Sequence, residues 1–357
     1  MNVFKEIDAR GHEQVCYFAD PISKLKLIIA IHNTTLGPAL GGCRMINYNS
    51  EHDALVDVLR LSKGMTYKAA IAGLNLGGGK AVIIGYPSKD KTESLFRSFG
   101  RFVHGLSGRY ITAEDVGTTV KDMEFVRMET NHVTGISQSL GGSGDPSPVT
   151  AYGVYIGMQA CVKYHMNKDS LSDLSVLVQG LGKVGMGLVE YLYSSGAKIY
   201  ISDIDKNREK HAIDKFGAIS APENIYDLDI DIFSPNALGA VINNSSIGTL
   251  KCKIVAGGAN NVLEDSKQGG QLKKMGILYA PDYAINAGGL INVSNELEGY
   301  NRDRAFKQAE GIYDNLMNIF KRSDSDDIPT NIASDKQAID RINKIGALKT
   351  FHVPSKR

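Results

Sequence analysis

The sequence has no apolar run able to cross a bilayer. Its longest obvious one, residues 27–31, falls far short of the ~20 residues that a spanning helix needs. It also has no excess of either charge: 40 Lys+Arg stand against 39 Asp+Glu, a formal net charge of +1. Polyanion binders carry a concentrated basic excess, so no nucleic-acid partner is expected. Cysteine is scarce. Cys16, Cys43, Cys161 and Cys252 lie far apart with no CxxC pair, which excludes a disulfide framework and points to reduced, mostly buried thiols in a cytoplasmic protein. The eight histidines show no HExxH or other ligand spacing, so no metal is expected. The first residues mix charges without an apolar stretch, unlike a secretory signal. Internal repeats and low-complexity tracts are missing as well.

What is present is a chain of 357 residues, 43% of them hydrophobic. That suits two domains, since single cores rarely pass about 250 residues. The expected fold class is α/β, with a cleft between an N-terminal substrate and oligomerisation domain (1–140) and a Rossmann-type dinucleotide-binding domain (141–330). A C-terminal segment (331–357) is expected to carry a helix packing back on the first domain. In the first domain, strand-like runs at 15–19 and 26–32 precede a helical pattern at 53–62. A glycine-rich turn, Gly77-Gly78-Gly79-Lys80, leads into a strand at 81–84, then a helix at 93–106 and a strand at 109–112. The segment 141–148, rich in Gly, Ser and Pro, marks the boundary. Beyond it a long helix at 150–164 precedes short apolar strands at 175–179, 198–202, 230–234, 253–256 and 277–280, alternating with amphipathic helices. Such alternation signals a parallel sheet with helices on both faces. Helix faces are expected from Ala309, Ile312, Leu316 and Ile319, and from Ile339 and Ile342.

Gly180-Leu181-Gly182-Lys183-Val184-Gly185 follows the first of these strands and opens a helix. A lone GxGxxG is weak, but this placement is that of a dinucleotide fingerprint. Gly180 would allow the tight turn, Gly182 the approach of the pyrophosphate, and Gly185 close helix–strand packing. The helix N-terminus would face the phosphates. Asp203 ends the next strand, about 20 residues on, where a carboxylate binds the adenosine ribose and disfavours a 2′-phosphate. NAD is therefore the expected cofactor, softened by the nearby Arg208. A glycine turn that binds nothing, or a methyltransferase loop for another nucleotide, are the competing readings.

Lys68, at the end of a helix, and Lys80, after three glycines, are the candidate reacting groups. Most lysines are solvated surface, but three glycines are costly in chain entropy unless the backbone must turn sharply or approach something. Partly desolvated and near a second cation, Lys80 would have a lowered pKa and act as a base.

Five motifs occur in order: Leu36-Gly37-Pro38-Ala39-Leu40-Gly41-Gly42, Lys63-Gly64-Met65-Thr66-Tyr67-Lys68, Gly77-Gly78-Gly79-Lys80, Thr112-Ala113-Glu114-Asp115-Val116-Gly117 and Ser147-Pro148-Val149-Thr150-Ala151-Tyr152-Gly153-Val154. With them the chain, from His12 to about Ile342, resembles the glutamate/leucine/phenylalanine/valine dehydrogenase family, most closely its leucine-specific members. The resemblance implies reversible NAD-dependent deamination of a branched-chain L-amino acid to a 2-oxo acid and ammonia, in a homo-oligomer. It implies that Lys68 binds the α-carboxylate with backbone help near Gly41, that Lys80 is the acid/base, and that Asp115 shuttles protons to the amine. A charge-balancing ion pair is the bland alternative for Asp115. Thr150 would hold the nicotinamide carboxamide. Asn261, in a glycine-rich loop after a parallel strand, would contact nicotinamide or substrate, or be a plain loop residue. Leu40, Ala113, Leu290 and Val293 would line the side-chain pocket. Leu40 and Val293 stand where glutamate-specific members carry a lysine and a hydroxyl, so glutamate is expected to be rejected. Leu290 replaces the valine commoner in leucine-specific members, which keeps an aromatic substrate as the runner-up. Cys43, Asp145, Lys183 and Asn236 also depart from that pattern. A sensor that had kept the fold without catalysis would be expected to lose Lys68, Lys80 or Asp115, and all three are present.

Overall fold

The computed structural model describes residues 3–237 and 239–348. Its first sheet comprises β1 (Gln14–Asp20), β2 (Leu25–Asn33), β3 (Ala39–Ile46), β4 (Gly77–Ile84) and β5 (Tyr110–Glu114), in the order β1-β2-β4-β3-β5. The sheet is mixed: β1–β2 and β2–β4 pair antiparallel, β3–β4 and β3–β5 parallel. Strand β2 is apolar on both faces because both are covered. Leu25, Leu27, Ile29 and Ile31 pack with Phe96, Phe99 and Val103 of the helix Glu93–Gly105. Ile28 and Ala30 pack with Leu55, Val58 and Leu59 of the helix Glu51–Ile71 on the other face.

The second sheet comprises β6 (Ser175–Gln179), β7 (Lys198–Ser202), β8 (Ile219–Ser220), β9 (Ile232–Pro235), β10 (Ile254–Val255) and β11 (Leu278–Tyr279). Its order is β11-β10-β9-β6-β7-β8 and every pairing is parallel. The strand order reverses between β6 and β9, which opens a crevice at their carboxyl ends, the usual ligand position in such sheets. The long helix Ser147–Met166 packs on this half, its Val154, Met158 and Cys161 buried in one core with β6 residues and the later helices.

The sequence expectations differ from this fold at several points. Gly77, Gly78 and Gly79 are not a turn but the first residues of β4. They read as a turn because glycine is rare in strands; here the missing side chains let neighbours close in. A Cβ on Gly78 would lie 2.1 Å from the Thr66 backbone nitrogen, and one on Gly79 would lie 2.6 Å from the Tyr110 ring. Strand β3 and the two-residue β8 were not anticipated, β3 because its glycines mask its alternation. The helix Glu51–Ile71 runs well past residue 62, since Ser62, Thr66 and Ala69 continue its buried face. The apolar face at Ala309, Ile312, Leu316 and Ile319 is buried as expected but belongs to two helices, Arg302–Ala309 and Gly311–Ser325. In the helix Thr330–Gly346, Ile342 packs against the core while Ile339 is 38% exposed.

That last helix touches the first half directly. Arg341 donates through Nη1 to the Ala70 and Leu74 carbonyls, and through Nη2 to the Gly73 carbonyl. A cation thus sits on the carbonyls at and just beyond a helix C-terminus, where the helix dipole favours it. Of the expected segment 331–357, residues 349–357 lie outside the described residues. All four cysteines are free, three of them buried. Among the described residues no helix is long and apolar enough to cross a membrane, and no cluster could hold a metal.

Because the Gly78 position is filled by the helix itself, Gly78→Ala is expected to lower stability by about 1–3 kcal/mol through overpacking, read as a fall in the urea midpoint. An unchanged midpoint would refute the close contact.

Candidate active site

Strands β3, β4 and β5 lie side by side, and their register gathers the polar residues. Cys43 is paired with both Ala81 and Glu114, so Arg44 on β3, Lys80 on β4 and Asp115, just past the end of β5, fall at neighbouring positions. Lys80 is 4% exposed, and its Nζ lies 3.2 Å from Asp115 Oδ2. The same oxygen accepts from Arg44 Nε at 2.9 Å. Burial pushes the Asp115 carboxyl up, but Lys80 and Arg44 outweigh it and hold it below the usual range. The nearby Glu114 is pushed the other way, by burial and by the charge of Asp145.

Lys68 comes from the last turn of the helix Glu51–Ile71, seated over the β4 glycines. Its ammonium donates to Asn286 Oδ1 at 2.6 Å. Burial lowers its pKa to about 8, and the charge of Lys80 adds to this against the pull of Asp282 and Asp115. Asn286 in turn donates through Nδ2 to Asn260 Oδ1 at 2.7 Å and to the Gly258 carbonyl. The second half of the chain thus reaches Lys68 through Asn286, which sequence reasoning missed. Asn286 sits in the short turn between the helices Asp282–Ile285 and Gly288–Ser294, where no motif marks it. Asn261 itself is exposed with φ 53°, and its Oδ1 accepts from Arg60 Nη1 at 3.3 Å. Arg44 was missed because a lone arginine in an apolar strand carries no motif.

Leu40, Leu290 and Val293 meet in one buried cluster with Ala69, Leu76 and Ile111. Leu290 and Val293 come from the helix Gly288–Ser294 and the others from the first half, so the cluster spans both. Ala113 is buried on β5 but lies outside it. Gly41 sits on β3, its carbonyl accepting from the Tyr110 hydroxyl at 2.5 Å. Thr150 is buried in the first turn of its helix and donates to the Pro146 carbonyl.

The residues at the carboxyl end of β6 fit a dinucleotide. Gly180 has φ 94°, a value few side chains adopt, and a Cβ on Gly185 would lie 1.9 Å from the Gly180 carbonyl oxygen. At Gly182, by contrast, a Cβ would meet nothing within 4 Å. Gly182 caps the helix Lys183–Ser194 with no side-chain bond, so no side chain at the cap competes for its first N–H groups, as anion binding requires. Leu181 is buried, and its N–H donates to Asp203 Oδ2 at 2.5 Å, tying the carboxylate to the loop. Val184 lies beside Gly258. The exposed Lys183 pairs with Asp145 at 2.9 Å. A cleft of about 580 Å³ runs from Gly180 and Gly182 past Asp203 and Arg208 to Asn236 and Val241.

With this geometry in hand, comparison with known proteins is informative. Residues 12–132 match the family model of the Glu/Leu/Phe/Val dehydrogenase dimerisation domain, and residues 141–206 and 200–343 match that of Glutamate/Leucine/Phenylalanine/Valine dehydrogenase. Leucine dehydrogenase of Geobacillus stearothermophilus is 55% identical over 96% of this chain and 94% of its own length. That of Thermoactinomyces intermedius is 52% identical over 100% and 98%. The crystal structure of L-tryptophan dehydrogenase from Nostoc punctiforme superposes with a TM-score of 0.87 at 44% identity, covering 96% of this chain and 99% of that one.

The open space at Gly182 yields a clean test. Gly182→Ala should leave the melting temperature within about 2 °C, as no contact is created. Dinucleotide affinity should fall at least about tenfold, or 1.4 kcal/mol. Unchanged affinity by fluorescence titration would place the phosphates elsewhere.

Proposed function

This chain belongs to the Glu/Leu/Phe/Val dehydrogenase family as an NAD(P)-dependent amino-acid dehydrogenase of leucine-dehydrogenase-like sequence, and we propose that it deaminates a branched-chain L-amino acid reversibly, using NAD. The observation that carries this reading is the meeting of Lys68, Lys80 and Asp115 on one side and the apolar cluster of Leu40, Leu290 and Val293 nearby. The cluster contains no cation, so a glutamate side chain would lose its hydration there without compensation, at a cost of several kcal/mol.

NAD, when bound, supplies the hydride acceptor. Gly180, Gly182 and the N-terminus of the helix Lys183–Ser194 would hold its pyrophosphate, Asp203 its adenosine ribose, and Thr150 and Asn261 its nicotinamide end. The Asp203 carboxylate would repel a 2′-phosphate, which favours NAD over NADP. Lys68, with Asn286, holds the α-carboxylate as an ammonium ion. The substrate amine must be neutral before its carbon can be oxidised, and Asp115, kept ionised by Lys80 and Arg44, accepts that proton. After oxidation water adds to that carbon, Lys80 exchanging protons with it, and the proton held by Asp115 returns to the nitrogen, which leaves as ammonia. Burial of these charges strengthens each contact by lowering the local dielectric.

An aromatic side chain is the second reading, favoured by Leu290 and by the likeness to a tryptophan dehydrogenase. The edge strand β1, with Tyr17 46% exposed, suits a contact between copies in a homo-oligomer, in a cytoplasmic setting.

Reductive amination of the 2-oxo acid of leucine with ammonia and NADH, compared with the valine and phenylalanine analogues, tests the proposal. Faster turnover of the phenylalanine analogue would move the assignment to the aromatic reading. Lys80→Ala should abolish turnover while NADH still binds; near-normal turnover would remove Lys80 as the acid/base. Lys68 adds a pH signature. Its cation is lost as pH rises through about 8, so inhibition by 4-methylpentanoate should weaken about tenfold per pH unit above that point. A level profile would count against Lys68 as the carboxylate site.

A further inference from the structure

Asp115 is gripped through one oxygen. Oδ2 takes Lys80 Nζ at 3.2 Å and Arg44 Nε at 2.9 Å. Oδ1 has no hydrogen-bond partner among the described residues, and the side chain keeps 23% of its exposure. Arg44 is itself anchored behind, its Nη1 lying 3.1 Å from Asp57 Oδ2. Asp57 also accepts from the Tyr48 hydroxyl at 2.8 Å and from Arg60 Nη2 at 2.9 Å. Asp57 belongs to the same helix that carries Lys68. A guanidinium is planar and can serve two carboxylates from different edges, which an ammonium cannot do with fixed geometry.

We propose that Arg44 is a positioning residue for the reaction: anchored on Asp57, it pins Asp115 Oδ2 beside Lys80 and leaves Oδ1 as the oxygen that exchanges a proton with the substrate amine. This rests on the reading of Asp115 as the proton shuttle. The cations facing Asp115 are Lys80, Arg44 and Lys68, and the neighbouring anions are Glu114 and Asp57. The buried Cys43 and Tyr110 and the half-buried Tyr48 are neutral, their ionisation pushed up by burial. Removing Arg44 takes away one of the two close cations that oppose burial. The Asp115 carboxyl then rises, and the shuttle is protonated, hence unable to accept, at a higher pH.

The test is the pH profile of kcat/KM for Arg44→Gln, Arg44→Lys, Asp115→Asn and the double variant Arg44→Gln/Asp115→Asn. In Arg44→Gln the acid limb should move upward by about one pH unit, about a tenfold loss in the acid range. Arg44→Lys should restore the limb but not kcat, since it keeps the charge without spanning both carboxylates. Adding Arg44→Gln to Asp115→Asn should cost nothing more. With Asp115→Asn slowed at least about a hundredfold but still measurable, an unmoved acid limb in Arg44→Gln, or a further loss in the double variant, overturns the positioning role and leaves the shuttle standing. Near-normal turnover in Asp115→Asn overturns the shuttle and this inference together. Should Arg44→Gln fail to fold, a normal kcat in Arg44→Lys is sufficient to overturn the role.

Discussion

At Gly78 the helix Glu51–Ile71 rests directly on strand β4, because the glycine supplies no side chain where Thr66 presses against the strand. Much of the site follows from that contact. It sets the height of the helix over the sheet, and so brings Lys68 from the helix near Lys80 from the strand. It also holds Asp57, farther back on the helix, level with Arg44 on β3. A bulkier residue would move one cation, its partner and the anchor of the arginine at once. In a close-packed interior such a shift cannot be absorbed locally.

The charges assembled there are balanced in a chain rather than in pairs. Lys80 and Arg44 share Asp115, Arg44 shares Asp57, and Asp57 is shared again with Arg60. Buried charges are tolerated when each has a partner and hydrogen bonds, and this arrangement meets that condition while leaving one Asp115 oxygen free. Lys68 stands apart, its partner being the neutral amide of Asn286. Burial lowers its pKa to about 8, and its cation is less compensated, in keeping with the anion site proposed for it.

The second half of the molecule does more than hold a dinucleotide. Asn286, Asn261 and the helix Gly288–Ser294 reach over the first sheet, meeting Lys68, Arg60 and the Leu40 wall respectively. Arg341 closes the arrangement by capping the end of the Lys68 helix. Separating the two halves would break these contacts, the Lys68–Asn286 hydrogen bond among them.

The chain alone determined the α/β class and the parallel sheet behind the Gly180–Gly185 loop, and it singled out Lys68 and Lys80 as candidates, because those signals are local: period-2 and helical apolar patterns, a loop of fixed spacing, lysines in glycine-rich settings. It misread Gly77–Gly79 as a turn, since a glycine's backbone tolerance is legible in one dimension but the neighbour that needs the space is not. Arg44 and Asn286 were invisible for the same reason. Their partners lie on other elements, Asp57 and Asp115 for Arg44 and Lys68, 218 positions away, for Asn286, and only the sheet register and the meeting of the two halves bring them together. The tertiary structure alone decided which residues share a charge, because hydrogen bonds and ion pairs depend on distance in space and not along the chain.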